Sequence, residues 1–102
     1  MRVPVSDDMM AQLVGEQLQG CIAAGAGFTA YEITRVLRME QPQLDIRHAA
    51  VRDWVHRYMQ SVLTSGLYTS SRKQLGAGEA IVYEPAVAVT VPTLPSMPIS
   101  LN

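Results

Sequence analysis

The chain has 102 residues, of which 48% are hydrophobic and 17% charged, and its formal net charge is −1. This length is enough for one folded domain and too short for two independent cores, and the apolar content excludes an intrinsically disordered chain. The net charge argues weakly against a dedicated DNA-binding domain, since such domains are often strongly basic.

The first predicted helix begins after Ser6, which is a good N-cap residue. Asp7 and Asp8 follow in the first turn, where their charge favours the positive end of the helix dipole. Apolar residues then recur at three- and four-residue steps, which predicts one buried stripe. The stripe consists of Met10, Leu13, Val14, Leu18, Cys21 and Ile22. Gly25 ends this helix, and residues 1–5 precede it as an N-terminal arm.

A second helix is predicted from the capping box formed by Thr29 and Glu32, after a very short extended segment at Phe28. The apolar face is made of Ile33, Val36 and Leu37, and the outer face of Thr34, Arg35 and Arg38. Pro42 forbids continuation of the helix beyond about Glu40.

The third predicted helix spans residues 46–63, with Asp45 as its cap, and has two very different faces. The arc toward the core consists of Val51, Trp54, Val55, Tyr58 and Val62. The opposite side carries Ala49, Arg52, Asp53, His56 and Gln60, and the flanks carry Arg47, His48 and Arg57. One side of this helix is therefore free for something outside the domain.

A β-hairpin is predicted after the third helix, with strands at residues 67–73 and 80–84 and a glycine-containing turn at 74–78. We expect Tyr68, Ile81 and Tyr83 to anchor the strands on the helices, and Arg72 and Lys73 to lie near the tip. Residues 86–102 carry no charge and have a proline at every third position from Pro92 to Pro98, which predicts a flexible, Pro-rich tail.

The basic residues concentrate on the third helix and the hairpin, since residues 29–73 contain seven Lys or Arg against four Asp or Glu. If the third helix enters a major groove, residues of its N-terminal half lie near base edges while the later arginine and the hairpin touch phosphates. The candidate DNA-binding residues are Arg47, His48, Ala49, Arg52, His56, Arg57, Arg72 and Lys73. The alternative is that this helix face has no ligand and is only solvated and stabilised by local charge pairs.

The sequence lacks the patterns of catalytic and metal sites. His48 and His56 are eight residues apart, which does not fit the four-residue step of a helical metal pair. Cys21, the only cysteine, lies on an apolar stripe, and no nucleophile-elbow or phosphate-loop motif occurs. We assign Tyr31 and Trp54 to packing. No enzyme activity, metal or cofactor is therefore predicted. Without a signal-peptide core or an apolar run of membrane-spanning length, a cytoplasmic protein with no membrane association is expected.

The order of helix, capped helix, turn, basic helix and glycine-tipped hairpin resembles the winged helix-turn-helix superfamily. The resemblance implies a mainly α domain over residues 6–85, with three helices and a small β-hairpin. It also implies a small protein that binds double-stranded DNA through helix 46–63 and wing 72–78, as a transcriptional regulator or a phage or plasmid accessory factor. The alternative is a winged-helix module that binds another protein without contacting DNA, and the modest net charge favours this alternative. A homodimer is compatible with both, because two copies could read adjacent half-sites.

Overall fold

The computed structural model describes residues 2–76 and 78–86, which form three helices and a small three-stranded antiparallel sheet. The elements are α1 (Asp7–Ala24), β1 (Phe28–Thr29), α2 (Ala30–Glu40), α3 (His48–Thr64), β2 (Tyr68–Leu75) and β3 (Gly78–Pro85). The predicted three helices and hairpin are confirmed, and the sheet gains one strand, with the order β1-β3-β2. Except for residue 86, the predicted tail lies outside the described residues.

The first two helices begin where their capping signals predict. The Ser6 hydroxyl accepts a hydrogen bond from the Met9 backbone N–H at 3.2 Å. At the start of α2, the Thr29 hydroxyl accepts from the Glu32 N–H at 3.3 Å, and the Glu32 carboxylate accepts from the Thr29 N–H at 2.9 Å. Both bonds of the capping box are therefore formed. α1 ends at Gly25, whose φ of 65° is left-handed.

The third helix begins two residues later than predicted, and Asp45 is not its cap. The N-cap residue is Arg47, and no side chain caps the helix. Asp45 instead accepts from Arg47 Nε at 3.0 Å, and its backbone N–H donates to the Val3 carbonyl at 2.8 Å. The Ile46 carbonyl accepts from Arg38 Nε at 2.9 Å. These tertiary bonds hold the backbone before residue 47 out of the helix.

The short segment at Phe28 pairs with the hairpin and forms the third strand. Phe28 lies opposite Tyr83 in β3, and the two rings stack with centroids 5.4 Å apart. The hairpin is longer than predicted, because Leu75 pairs with Gly78 and leaves only residues 76 and 77 as the connection. Gly76 has a φ of 58°, which glycine adopts without steric cost.

The core lies where the three helices meet the sheet. Its buried members include Met10, Val14 and Leu18 of α1, Ile33 and Leu37 of α2, Val51, Val55 and Met59 of α3, and Tyr68 and Tyr83 of the sheet. Trp54 is only partly buried at the edge of this core. Two predictions were wrong: Thr34 is buried although it was assigned to an outer face, and Ile81 is 38% exposed although it was expected to anchor a strand.

Candidate nucleic-acid interface

A solvent-open cleft of about 450 Å³ separates α3 from the β2–β3 hairpin, with the start of α2 at one end. α3 contributes His48, Arg52, Asp53 and His56, the hairpin contributes Arg72, Glu79 and Ile81, and α2 contributes Tyr31. The cleft thus joins residues up to about fifty positions apart in the sequence. Its lining combines basic and aromatic side chains.

Four of the eight predicted DNA-binding residues line this cleft, namely His48, Arg52, His56 and Arg72. They are brought together because α3 packs its opposite face on the core and the hairpin folds back beside it. The aromatic and acidic members of the lining were not predicted as site residues, namely Tyr31, Tyr83, Asp53 and Glu79.

The other four predicted residues are not among those that line the cleft. Arg47 and Ala49 are exposed at the start of α3. Lys73 is exposed next to Arg72, opposite Ala80 in the β3 register, and successive strand residues point to opposite faces. Lys73 therefore lies on the face of the hairpin opposite to that of Arg72, which lines the cleft.

Arg57 lies on another side of α3. Its guanidinium carbon is 4.9 Å from the centre of the Trp54 ring, which is the geometry of a cation–π contact. Arg57 and Trp54 share a small groove with Ala11 and Val14 of α1, and none of these residues lines the cleft. The cleft therefore does not include Arg57.

The cations at the start of α3 make only weak pairs with acids. The Arg52 Nε lies 3.8 Å from the Asp53 carboxylate, and both side chains are more than 60% exposed. Arg47 pairs with Asp45 at 3.0 Å, with 78% of its side chain exposed. Exposed pairs of this kind contribute little to stability, so either guanidinium can exchange its partner for an external anion.

His48 is held by two contacts from α2. Its Nδ1 lies 2.9 Å from the Thr34 hydroxyl, and its ring stacks on Tyr31 with centroids 4.3 Å apart and an interplanar angle of 11°. Burial lowers the pKa of His48, and the nearby charges of Arg52 and Arg38 lower it further. These effects favour the neutral ring.

Tyr31 was assigned to packing from its place in the first turn of α2, and the structure corrects this. Its side chain is 52% exposed and covers one face of the His48 ring at the edge of the cleft. Neither this stacking nor the bond between Thr34 and His48 has a sequence signal, because only the packing of α2 on α3 creates them. His56, in contrast, is exposed on α3 and also lines the cleft, with its Nε2 3.5 Å from the Gln60 side-chain nitrogen.

Comparison of the chain with protein-family models, curated proteins and solved structures found no match. Among the helices in residues 2–76 and 78–86, none is both long enough and apolar enough to cross a membrane. The side chains that line the cleft indicate what it can bind. Arginine supplies a planar fork of donors for phosphate or guanine, the His48 ring supplies a hydrogen-bonding edge, and Tyr31 supplies an exposed aromatic face.

Proposed function

We propose that the chain is a winged helix-turn-helix protein that binds double-stranded DNA, with α3 in the major groove and the β2–β3 hairpin as a wing against the DNA backbone. The observation that carries this proposal is the open cleft with Arg52 on one wall and Arg72 on the other. A groove flanked by cations from a helix and a β-hairpin fits a phosphate strand and leaves the helix free to reach base edges.

The start of α3 supports this orientation. Its first turn contains no acidic residue and its N-terminus has no side-chain cap, so the helix itself leaves the positive end of its dipole unneutralised. The exposed Arg47 side chain adds a charge at the same end. Phosphate oxygens are stabilised at such helix ends.

The exposed cations divide into two roles in this proposal. Arg52 and His48 point from the first two turns of α3 into the cleft and would face base edges. Arg72 lines the cleft, Arg47 and Lys73 are exposed at the start of α3 and on the hairpin, and all three would contact phosphates. Arg57, which packs on Trp54 toward α1, lies outside this surface.

The test is a fluorescence anisotropy titration of a labelled random-sequence duplex at low salt, run beside a sizing experiment. We expect the wild-type chain to bind, the double variant R52A/R72A to lose most of the affinity, and R57A to bind as the wild type does. R57A is a matched control because it removes an arginine from the same helix on a side away from the cleft. Absence of duplex binding by the folded wild-type chain at low salt would refute the proposal.

A second candidate function is binding of another protein, and the composition of the same cleft favours it. Tyr31 and Ile81 expose apolar surface there. Asp53 and Glu79 add negative charge, which repels the phosphates of DNA. Y31A and I81A would then weaken the interaction with the partner more than R52A does. That pattern, together with no affinity for duplex DNA, would favour this function over DNA binding.

A further inference from the structure

The contacts of the Thr34 hydroxyl favour one tautomer of His48. The Thr34 oxygen is 2.8 Å from the Ala30 carbonyl, which can only accept, and 2.9 Å from His48 Nδ1, which donates or accepts according to the tautomer. Both contacts are hydrogen bonds at the same time only if the single hydroxyl proton is donated to Ala30 and Nδ1 donates to the Thr34 oxygen. In that arrangement Nδ1 carries a hydrogen.

The other ring nitrogen is then a hydrogen-bond acceptor. In a neutral histidine with a proton on Nδ1, Nε2 has a free lone pair. Burial and the charges of Arg52 and Arg38 lower the pKa of His48, so the ring is neutral near pH 7. Among the described residues Nε2 has no hydrogen-bond partner, and no side-chain nitrogen or oxygen is both fully buried and without a partner, so Nε2 is not fully buried. Nε2 is therefore accessible to a ligand in the cleft.

The ring is also fixed in orientation. Tyr31 stacks on one face at 4.3 Å, and Thr34 holds the Nδ1 edge from the buried side of the cleft. Rotation of the ring would break both contacts. The acceptor is thus presented in one direction before any ligand binds, which lowers the entropic cost of using it.

We propose that His48 is a fixed hydrogen-bond acceptor that selects bases with an exocyclic amino group in the major groove, namely adenine or cytosine, and that Thr34 is its positioning residue. This inference rests on the proposed DNA binding and deepens it. Adenine N6 and cytosine N4 are the only amino donors on base edges in the major groove. Arginine side chains can only donate, so His48 adds a kind of recognition that Arg52 cannot provide.

The tautomer is tested directly by a two-bond ¹H–¹⁵N correlation NMR spectrum of the free protein near neutral pH. We expect a protonated Nδ1 and an unprotonated Nε2 for His48 in the wild type. The variant T34V removes the accepting oxygen with little change in shape and should lose this single-tautomer pattern, while T34S should keep it. A proton on Nε2 in the wild type would overturn the inference whether or not DNA binds.

Base selection is tested by recovering bound sequences from a randomised duplex library. The wild type should enrich adenine or cytosine at one position by roughly tenfold, the size of effect expected for one well-placed base contact. H48K, which can only donate, should lose that enrichment in favour of guanine or thymine. S61K is the matched control on the same helix and should keep it, because Ser61 is exposed and does not line the cleft.

The positioning role of Thr34 predicts a separate result in the same selection. T34V should flatten the preference at that position while its affinity for random duplex stays near the wild-type value, and T34S should restore the preference. Duplex binding with a preference that is unchanged in both H48K and T34V would overturn this inference and leave the proposed function standing. Absence of any duplex binding would overturn both, whatever tautomer the NMR spectrum shows.

Discussion

The salt dependence of duplex binding should measure how many cations of this surface contact phosphates. In the proposed complex three exposed cations contact phosphates, namely Arg47, Arg72 and Lys73. Each phosphate contact contributes about −0.9 to the slope of log affinity against log salt, so three contacts predict a slope of about −2.7. With that slope, affinity falls roughly 40-fold between about 50 and 200 mM salt.

Removal of the two hairpin cations should change the slope by a defined amount. The variant R72A/K73A leaves one phosphate contact and should have a slope of about −0.9, which corresponds to a fall of only about 3.5-fold over the same salt range. R52A should lower affinity with less effect on the slope, since Arg52 is assigned to a base edge. R57A should match the wild type because its guanidinium packs on Trp54.

The assay is an anisotropy titration of a random-sequence duplex at several salt concentrations for these four proteins. Equal slopes for the wild type and R72A/K73A would mean that the hairpin does not contact the DNA backbone. A loss of slope in R57A as large as that in the hairpin variant would mean that DNA lies along the α1 side of α3. Either result would refute the placement of the duplex in the cleft.

Three further predictions concern stability. Y68F should lower the free energy of unfolding by about 1–2 kcal/mol, because the buried Tyr68 hydroxyl donates to the Ala26 carbonyl at 2.7 Å. Urea denaturation measures this change, and an unchanged midpoint would contradict the prediction. G25A should destabilise the folded protein by about 1–2 kcal/mol, because Gly25 has a left-handed φ of 65°. G20A, on the exposed face of α1, should stabilise it by up to about 1 kcal/mol. Thermal unfolding compares the two variants. The folded-state pKa of His48 is lowered from 6.5, so the unfolded chain binds a proton at a higher pH than the folded protein does. Stability should therefore decrease as the pH falls below about 7, and this decrease should be smaller in H48Q. Equal pH slopes for the two proteins would contradict this prediction.

Local chemistry in the sequence was enough to predict the first two helices and their ends. Ser6 and the pair Thr29–Glu32 act within one helical turn, so their hydrogen bonds form wherever the rest of the chain lies. The positions of the hairpin and of the exposed face of α3 followed from residue periodicity in the same way. The sequence also placed Arg52 and Arg72 among the candidates, and they meet across one cleft.

Tertiary contacts decided the features that the sequence could not predict. α3 begins after Arg47 because Val3 and Arg38 bind the backbone just before it, and neither contact is local. β1 exists as a strand only because β3 pairs with it.

The sequence by itself determined the three helical segments, the hairpin and the side of α3 that carries charge, because these depend on groups a few residues apart. The geometry of His48 was decided only by the packing of α2 against α3, which brings Thr34 and Tyr31 to its ring from fourteen and seventeen residues away. Hydrogen-bond direction and ring stacking depend on distances of a few ångströms. The packing of whole helices sets those distances, and no residue pattern along the chain predicts them.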